Sequence, residues 1–81
     1  MYKVVSAIPQ NDYSLILTFD NGAQRVFDVR PYLDKGIFTE LRDLSYFRKV
    51  RVAFNSVQWP HGQDFAPETL YIESKALVTA S

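Results

Sequence analysis

Apolar and polar residues alternate with a period of two between Val4 and Val29, the signature of half-buried strands. Val4-Val5-Ser6-Ala7-Ile8 is rich in β-branched residues, is closed by Pro9 and runs into the turn-forming Gln10-Asn11-Asp12, so it reads as a first strand. Tyr13 to Phe19 and Ala23 to Val29 alternate on either side of Asp20-Asn21-Gly22, the strongest hairpin signal in the chain. Loop length sets the register, because a slip of one residue turns every side chain to the opposite face. A three-residue loop with Gly22 left-handed places Leu15 against Phe27 and Tyr13 against Val29, whereas a two-residue loop of Asn21-Gly22 would place Leu15 against Asp28. The longer loop is preferred. It predicts Tyr13, Leu15, Leu17, Phe27 and Val29 facing the core, with Ser14, Thr18, Gln24 and Asp28 facing outward. Arg25, opposite Leu17, fits this scheme poorly.

Beyond Pro31 the period lengthens. Phe38, Leu41, Leu44 and Phe47 recur at helical spacing and form one apolar stripe to lay on a sheet. Asp43-Leu44-Ser45 can stop one helix and cap the next, so the spacing predicts either one bent helix from about Phe38 to Lys49 or two short ones. Val50 to Phe54 alternates again, Asn55-Ser56 is turn chemistry and Val57-Gln58-Trp59 returns, which predicts a second, shorter hairpin. Pro67 followed by Glu68 marks the first turn of a short helix, with Asp64 as its capping carboxylate. The tail from Lys75 to Ser81 is expected to prolong that helix or to fray. The predicted fold class is α+β: a small antiparallel sheet of about five short strands in two hairpins, packed by one or two short helices, with a short C-terminal helical turn. An open sheet of this kind has edges that invite strand addition or self-association, and the strand Val50 to Phe54 or the first strand is expected at one of them.

Composition narrows the picture. A chain of 81 residues holds one domain, residues 1–81, and 47% hydrophobic with 15% aromatic residues compensates for the poor surface-to-volume ratio of so small a chain. With no cysteine there is neither a disulfide framework nor a thiolate metal site, which fits a reducing cytoplasm. Nine basic and nine acidic residues leave a formal net charge of zero, so direct nucleic-acid binding is disfavoured. The densest basic run, Arg48-Lys49-Val50-Arg51, reads as a solvated helix end complementing the helix dipole. The N-terminal residues carry no long apolar stretch and no run approaches the roughly 18 apolar residues of a membrane span, so a cytoplasmic protein without a membrane partner is expected.

One stretch concentrates candidate chemistry. Trp59-Pro60-His61-Gly62-Gln63-Asp64 holds the only tryptophan and the only histidine of the chain beside a carboxylate. An enzymatic reading makes His61 a general base oriented by Asp64, with a serine or a bound water as nucleophile. No serine stands in a nucleophile-elbow pattern, no glycine loop is shaped to cradle phosphate, and one histidine with scattered carboxylates lacks metal-ligand spacing. The competing reading is structural: Trp59 packs in the core, Pro60 and Gly62 shape a turn, and Asp64 caps the next helix. Trp59, His61, Gln63 and Asp64 then form at most a binding lip. No catalytic, cofactor or metal residues are assigned, and Asp28 with Arg30 reads as a surface couple.

Four segments taken in order, TFDNG, RVFDVRPYL, FTELRDLSYFRKVRV and QWPHGQDFAPETLY, resemble the small bacterial family catalogued as domain of unknown function 2442, from about Val4 to Tyr71. FDNG with RVFDVRPYL, and WPHGQD with PETLY, are specific in combination. The resemblance implies a compact α+β domain with a small antiparallel sheet, in chains that stand alone or are fused to a helix-turn-helix region, and stand-alone genes with a second small protein as neighbour. It carries no catalytic residues. The functional expectation is a non-enzymatic protein-interaction module, regulatory or antitoxin-like, whose protein partner is encoded by a neighbouring gene or is a second copy of the chain in a homodimer. The alternative is a small-molecule or nucleotide-binding domain, with hydrolytic activity as an extension, that uses the WPHGQD turn as one wall.

Overall fold

The computed structural model describes residues 2–77. Its centre is the hairpin that the alternation and the Asp20-Asn21-Gly22 loop predict. β1 (Val4–Pro9), β2 (Ser14–Phe19) and β3 (Gln24–Asp28) form an antiparallel meander. β2 pairs with β3 from Ser14 against Asp28, through Leu15 against Phe27, to Thr18 against Gln24. The Val29 N–H donates to the Tyr13 carbonyl at 2.9 Å. This is the register of the three-residue loop. The Phe19 N–H donates to the Ala23 carbonyl and the Gly22 N–H to the Phe19 carbonyl, both at 2.9 Å, with Gly22 at φ +87°. A residue without Cβ takes that conformation at least cost.

Leu15, Leu17, Phe19, Phe27 and Val29 are buried and Tyr13 is half-buried. Ser14 departs from expectation. It is buried because its hydroxyl and N–H donate to the Asp12 carboxylate, at 2.6 and 3.2 Å, bringing the β1–β2 turn against it. The poor fit of Arg25 also has an answer. Its Nε donates to the Ser74 hydroxyl and its Nη2 to the Ser74 carbonyl, each at 2.6 Å, and the guanidinium lies 4.6 Å from the centre of the Tyr71 ring. That anchor draws Lys75–Ala76 onto β3 as β6, giving the strand order β1-β2-β3-β6. The tail therefore neither extends the preceding helix nor frays at Lys75 and Ala76, while 78–81 lie outside the described residues.

The helical region is two short elements. A 3-10 helix over Gly36–Arg42 is followed by α1 (Leu44–Phe47), with Asp43 between them accepting from the Ser45 N–H at 3.1 Å and the Ser45 hydroxyl at 2.8 Å. Leu41 and Phe47 turn the apolar stripe into the core. β4 (Arg51–Ala53) and β5 (Ser56–Gln58) form a separate two-stranded sheet. Their turn is Phe54-Asn55 rather than the expected Asn55-Ser56, and Val52 faces Val57. The expected register would set Val52 against Trp59, but the Trp59 N–H is taken by the Gln63 carbonyl at 2.9 Å and the hairpin pairing stops at Gln58.

α2 (Pro67–Ile72) begins with Pro67 and Glu68 in its first turn as predicted, but Asp64 does not cap it. The N-cap is Ala66, without a side-chain bond, and Asp64 is held in a backbone bridge with Gln58. The core lies between the inner sheet face and the helical layer. The Phe65 ring sits edge-on to Phe27 at 5.0 Å and to Trp59 at 6.1 Å and stacks on Phe38 at 4.9 Å. Cα extents of 34 × 28 × 18 Å correspond to two layers. β1 lies at an edge of the four-stranded sheet, and both strands of the smaller sheet are edges.

Candidate functional site

β5 is flanked by two turns of opposite character. At its C-terminal end the Trp59 N–H donates to the Gln63 carbonyl at 2.9 Å, the Gly62 N–H donates to the Trp59 carbonyl at 3.0 Å, and Gly62 has φ +100°. This repeats the bonding of Phe19 to Ala23, and the Gln58–Asp64 bridge continues it as Thr18–Gln24 does in the first hairpin. WPHGQD is thus a second copy of the three-residue glycine loop.

Its side chains are fastened from two other elements. Trp59 is buried and donates Nε1–H to the Phe47 carbonyl at 2.8 Å. Gln63 is only 1% exposed. Its Nε2 donates to the Ile37 carbonyl at 3.0 Å and to Glu40 Oε1 at 2.8 Å, while its Oε1 accepts from the Tyr46 hydroxyl at 2.7 Å. That hydroxyl in turn accepts from the His61 N–H at 2.9 Å, and His61 Nδ1 meets Glu40 Oε2. Glu40, Gln63, Tyr46 and His61 close a circuit, and among the described residues no buried side-chain donor or acceptor is unpaired.

Of the four residues of the expected lip, Trp59 and Gln63 point inward while His61 and Asp64 are exposed. The partner of His61 is Glu40, not Asp64, which corrects the acid–base pairing read from the sequence. Among the described residues no group of three or more His, Asp or Glu side chains is placed to hold a metal ion. Sequence reasoning missed Glu40 and Tyr46 because they lie 21 and 15 residues from His61.

At the other end of β5, Phe54 and Asn55 have φ +51° and +65°. With positive φ at both central residues the turn is of the type I′ kind, which suits asparagine or glycine and not phenylalanine. The Phe54 ring is 88% exposed. The tip is nevertheless held, since the Asn55 carbonyl accepts the Val4 N–H at 2.9 Å. Beside it a groove of ≈ 300 Å³ runs between the outer face of the hairpin (Ala53, Ser56, Gln58) and the strip Asp64–Pro67, with Phe54 on its rim. The Ser56 hydroxyl ties the groove floor to the Phe65 carbonyl.

The perturbed ionisable groups sit elsewhere and serve local structure. Hydrogen bonds from Ser14 and Ser45 hold the Asp12 and Asp43 carboxyls below the ordinary value. Arg30, donating at 2.9 to 3.2 Å, does the same for Asp28, so the expected surface couple is formed. Burial, then the bond to Glu73, raises the Tyr32 hydroxyl.

The fold defines a small two-layer α+β domain built on a three-strand antiparallel meander, closed at one edge by β6. Within that class, the chain belongs to the family described as Protein of unknown function (DUF2442), whose model matches residues 4–76 and so includes β6. No curated protein and no solved structure matches the chain.

Proposed function

We propose that the chain is a non-enzymatic protein-interaction module, regulatory or antitoxin-like, that works through the tip of the β4–β5 hairpin. Phe54 carries this reading. A non-glycine residue in the left-handed region costs about 1–2 kcal/mol. An apolar side chain left in water forgoes about 1.5–3 kcal/mol of burial free energy. Phe54 bears both costs at one position, on a tip tied to β1, and a partner that covers the ring offsets them. The product of a neighbouring gene is the first partner to try. Whichever partner the tip seats, that product or a second copy of the chain, should co-purify with the tagged wild type and be lost with Phe54→Asn. Equal recovery with both forms would remove the tip from the reading.

The alternative, a small-molecule or nucleotide site walled by the WPHGQD turn, has one observation in its favour: the groove reaches Asp64. A lining with a carboxylate and no cation repels phosphate and suits a neutral or cationic ligand. Titration with ATP and with a small amine, followed by amide shifts at Asp64 and Gln58, separates the two ligand classes.

A further inference from the structure

We infer that a second copy of this chain is the partner that seats Phe54, each copy placing its ring in the groove of the other. This rests on the interaction-module reading and names its partner. β5 lies in the middle of the grooved face, with β4 on one side and the strip Asp64–Pro67 on the other. A two-fold axis along β5 exchanges those two sides at the same height along the strand. Phe54, at the hairpin tip, then lands over Ala66 and Pro67 of the other copy, and Arg51 lands over its Asp64. Because anchor and receptor share one rim, the contact is self-complementary and closes as a dimer rather than growing into a filament. The groove has room for the ring, since an apolar cavity of about 150 Å³ already holds benzene.

Charge on the same face agrees. Across it run Arg51, Gln58 and Asp64, cation at one end and carboxylate at the other. Among the described residues Arg51 reaches only the neutral Gln58 Oε1, at 3.4 Å, and the ion pairs formed, Arg30–Asp28 and His61–Glu40, leave Asp64 and Glu68 without a cation. A row of this polarity laid on its own two-fold image pairs each Arg51 with the opposite Asp64. A formal net charge of zero adds no long-range repulsion between copies.

Sedimentation velocity over a concentration series tests this with the full chain. Wild type should shift from monomer to dimer. Phe54→Asn, which suits the left-handed turn and keeps the fold, should weaken the dimer by about tenfold or more. Asp64→Arg should weaken it as well, and adding Arg51→Asp should restore association, a rescue that a merely structural role for either residue would not give. A wild-type chain that stays monomeric up to about 1 mM, or a dimer indifferent to Phe54→Asn, overturns the inference. A monomeric wild type that still binds another protein through Phe54 overturns it while leaving the interaction module standing.

Discussion

The two turns that flank β5 each carry an aromatic residue and treat it in opposite ways. Trp59 opens a turn whose strained position is a glycine, and its ring is buried and hydrogen-bonded to Phe47. Phe54 occupies the strained position itself and its ring lies in water. The conspicuous motif, with the single tryptophan and the single histidine, turns Trp59 and Gln63 into the core. Phe54, read from the sequence only as the end of a strand, combines a left-handed backbone with an exposed ring. Residue rarity in a sequence says little about function. An uncompensated cost at an ordered position says more.

Substitutions can break this contrast. Trp59→Ala should lose about 3–5 kcal/mol, a large share of the stability of so small a domain, read as a drop in the urea midpoint. An unchanged midpoint would mean that the indole does not support the core. Gln63→Ala should lose about 2–3 kcal/mol, because it strands the Tyr46 hydroxyl and one oxygen of Glu40 without the bonds that satisfied them. The same assay for Phe54→Asn should show the opposite sign, a gain of about 1 kcal/mol from relief of the left-handed phenylalanine. A loss there would place Phe54 among the structural residues.

Smaller effects sharpen the comparison. His61→Ala should change stability by no more than about 0.5 kcal/mol, since its pair with Glu40 is largely exposed, and should leave partner binding intact. Loss of binding at a preserved midpoint would return His61 to the functional side. Acid should act weakly and on one side only. Asp12, Asp28 and Asp43 are depressed in the folded state, so their contribution is fully present above the unfolded carboxylate value and is lost as pH falls through the folded values. Amide shifts followed from neutral to acid pH should move at the Asp12 and Asp43 turns and at Asp28 only below the ordinary carboxylate range, with the Phe54-Asn55 tip unmoved.

What was legible in the sequence follows the range of the interactions. The β2–β3 register was readable because the loop chemistry and both alternating strands lie within one short stretch, and each constrains the other. The same glycine-loop logic applied to WPHGQ would have found the second such turn, whose Trp59 and Gly62 stand where Phe19 and Gly22 do in the first. The β4–β5 turn was displaced by one residue because phenylalanine is a strand former and Asn55-Ser56 is the better local turn, yet Trp59 is claimed by its own loop. β6 and the bonds of Glu40 and Tyr46 to the WPHGQD turn were not readable, since they depend on partners distant in the chain. Of the candidate lip, sequence alone could not separate the inward Gln63 from the outward His61, two neighbours that a single turn sends in opposite directions.

The closure of the sheet by β6 also bears on the order in which the molecule assembles. The meander joins neighbours in sequence through short loops, so its ring-closure entropy is small and it can form early. β6 pairs through only Lys75 and Ala76, and its anchor joins Arg25 to Ser74, 49 positions further on, so this edge waits until the helical layer has brought the two ends together. By the same reasoning it is the first pairing to open from the native state. The Leu77 N–H, bonded to the Gln24 carbonyl at 2.9 Å, should exchange with solvent well before the amides of Leu15 and Leu17, which report the opening of the whole domain.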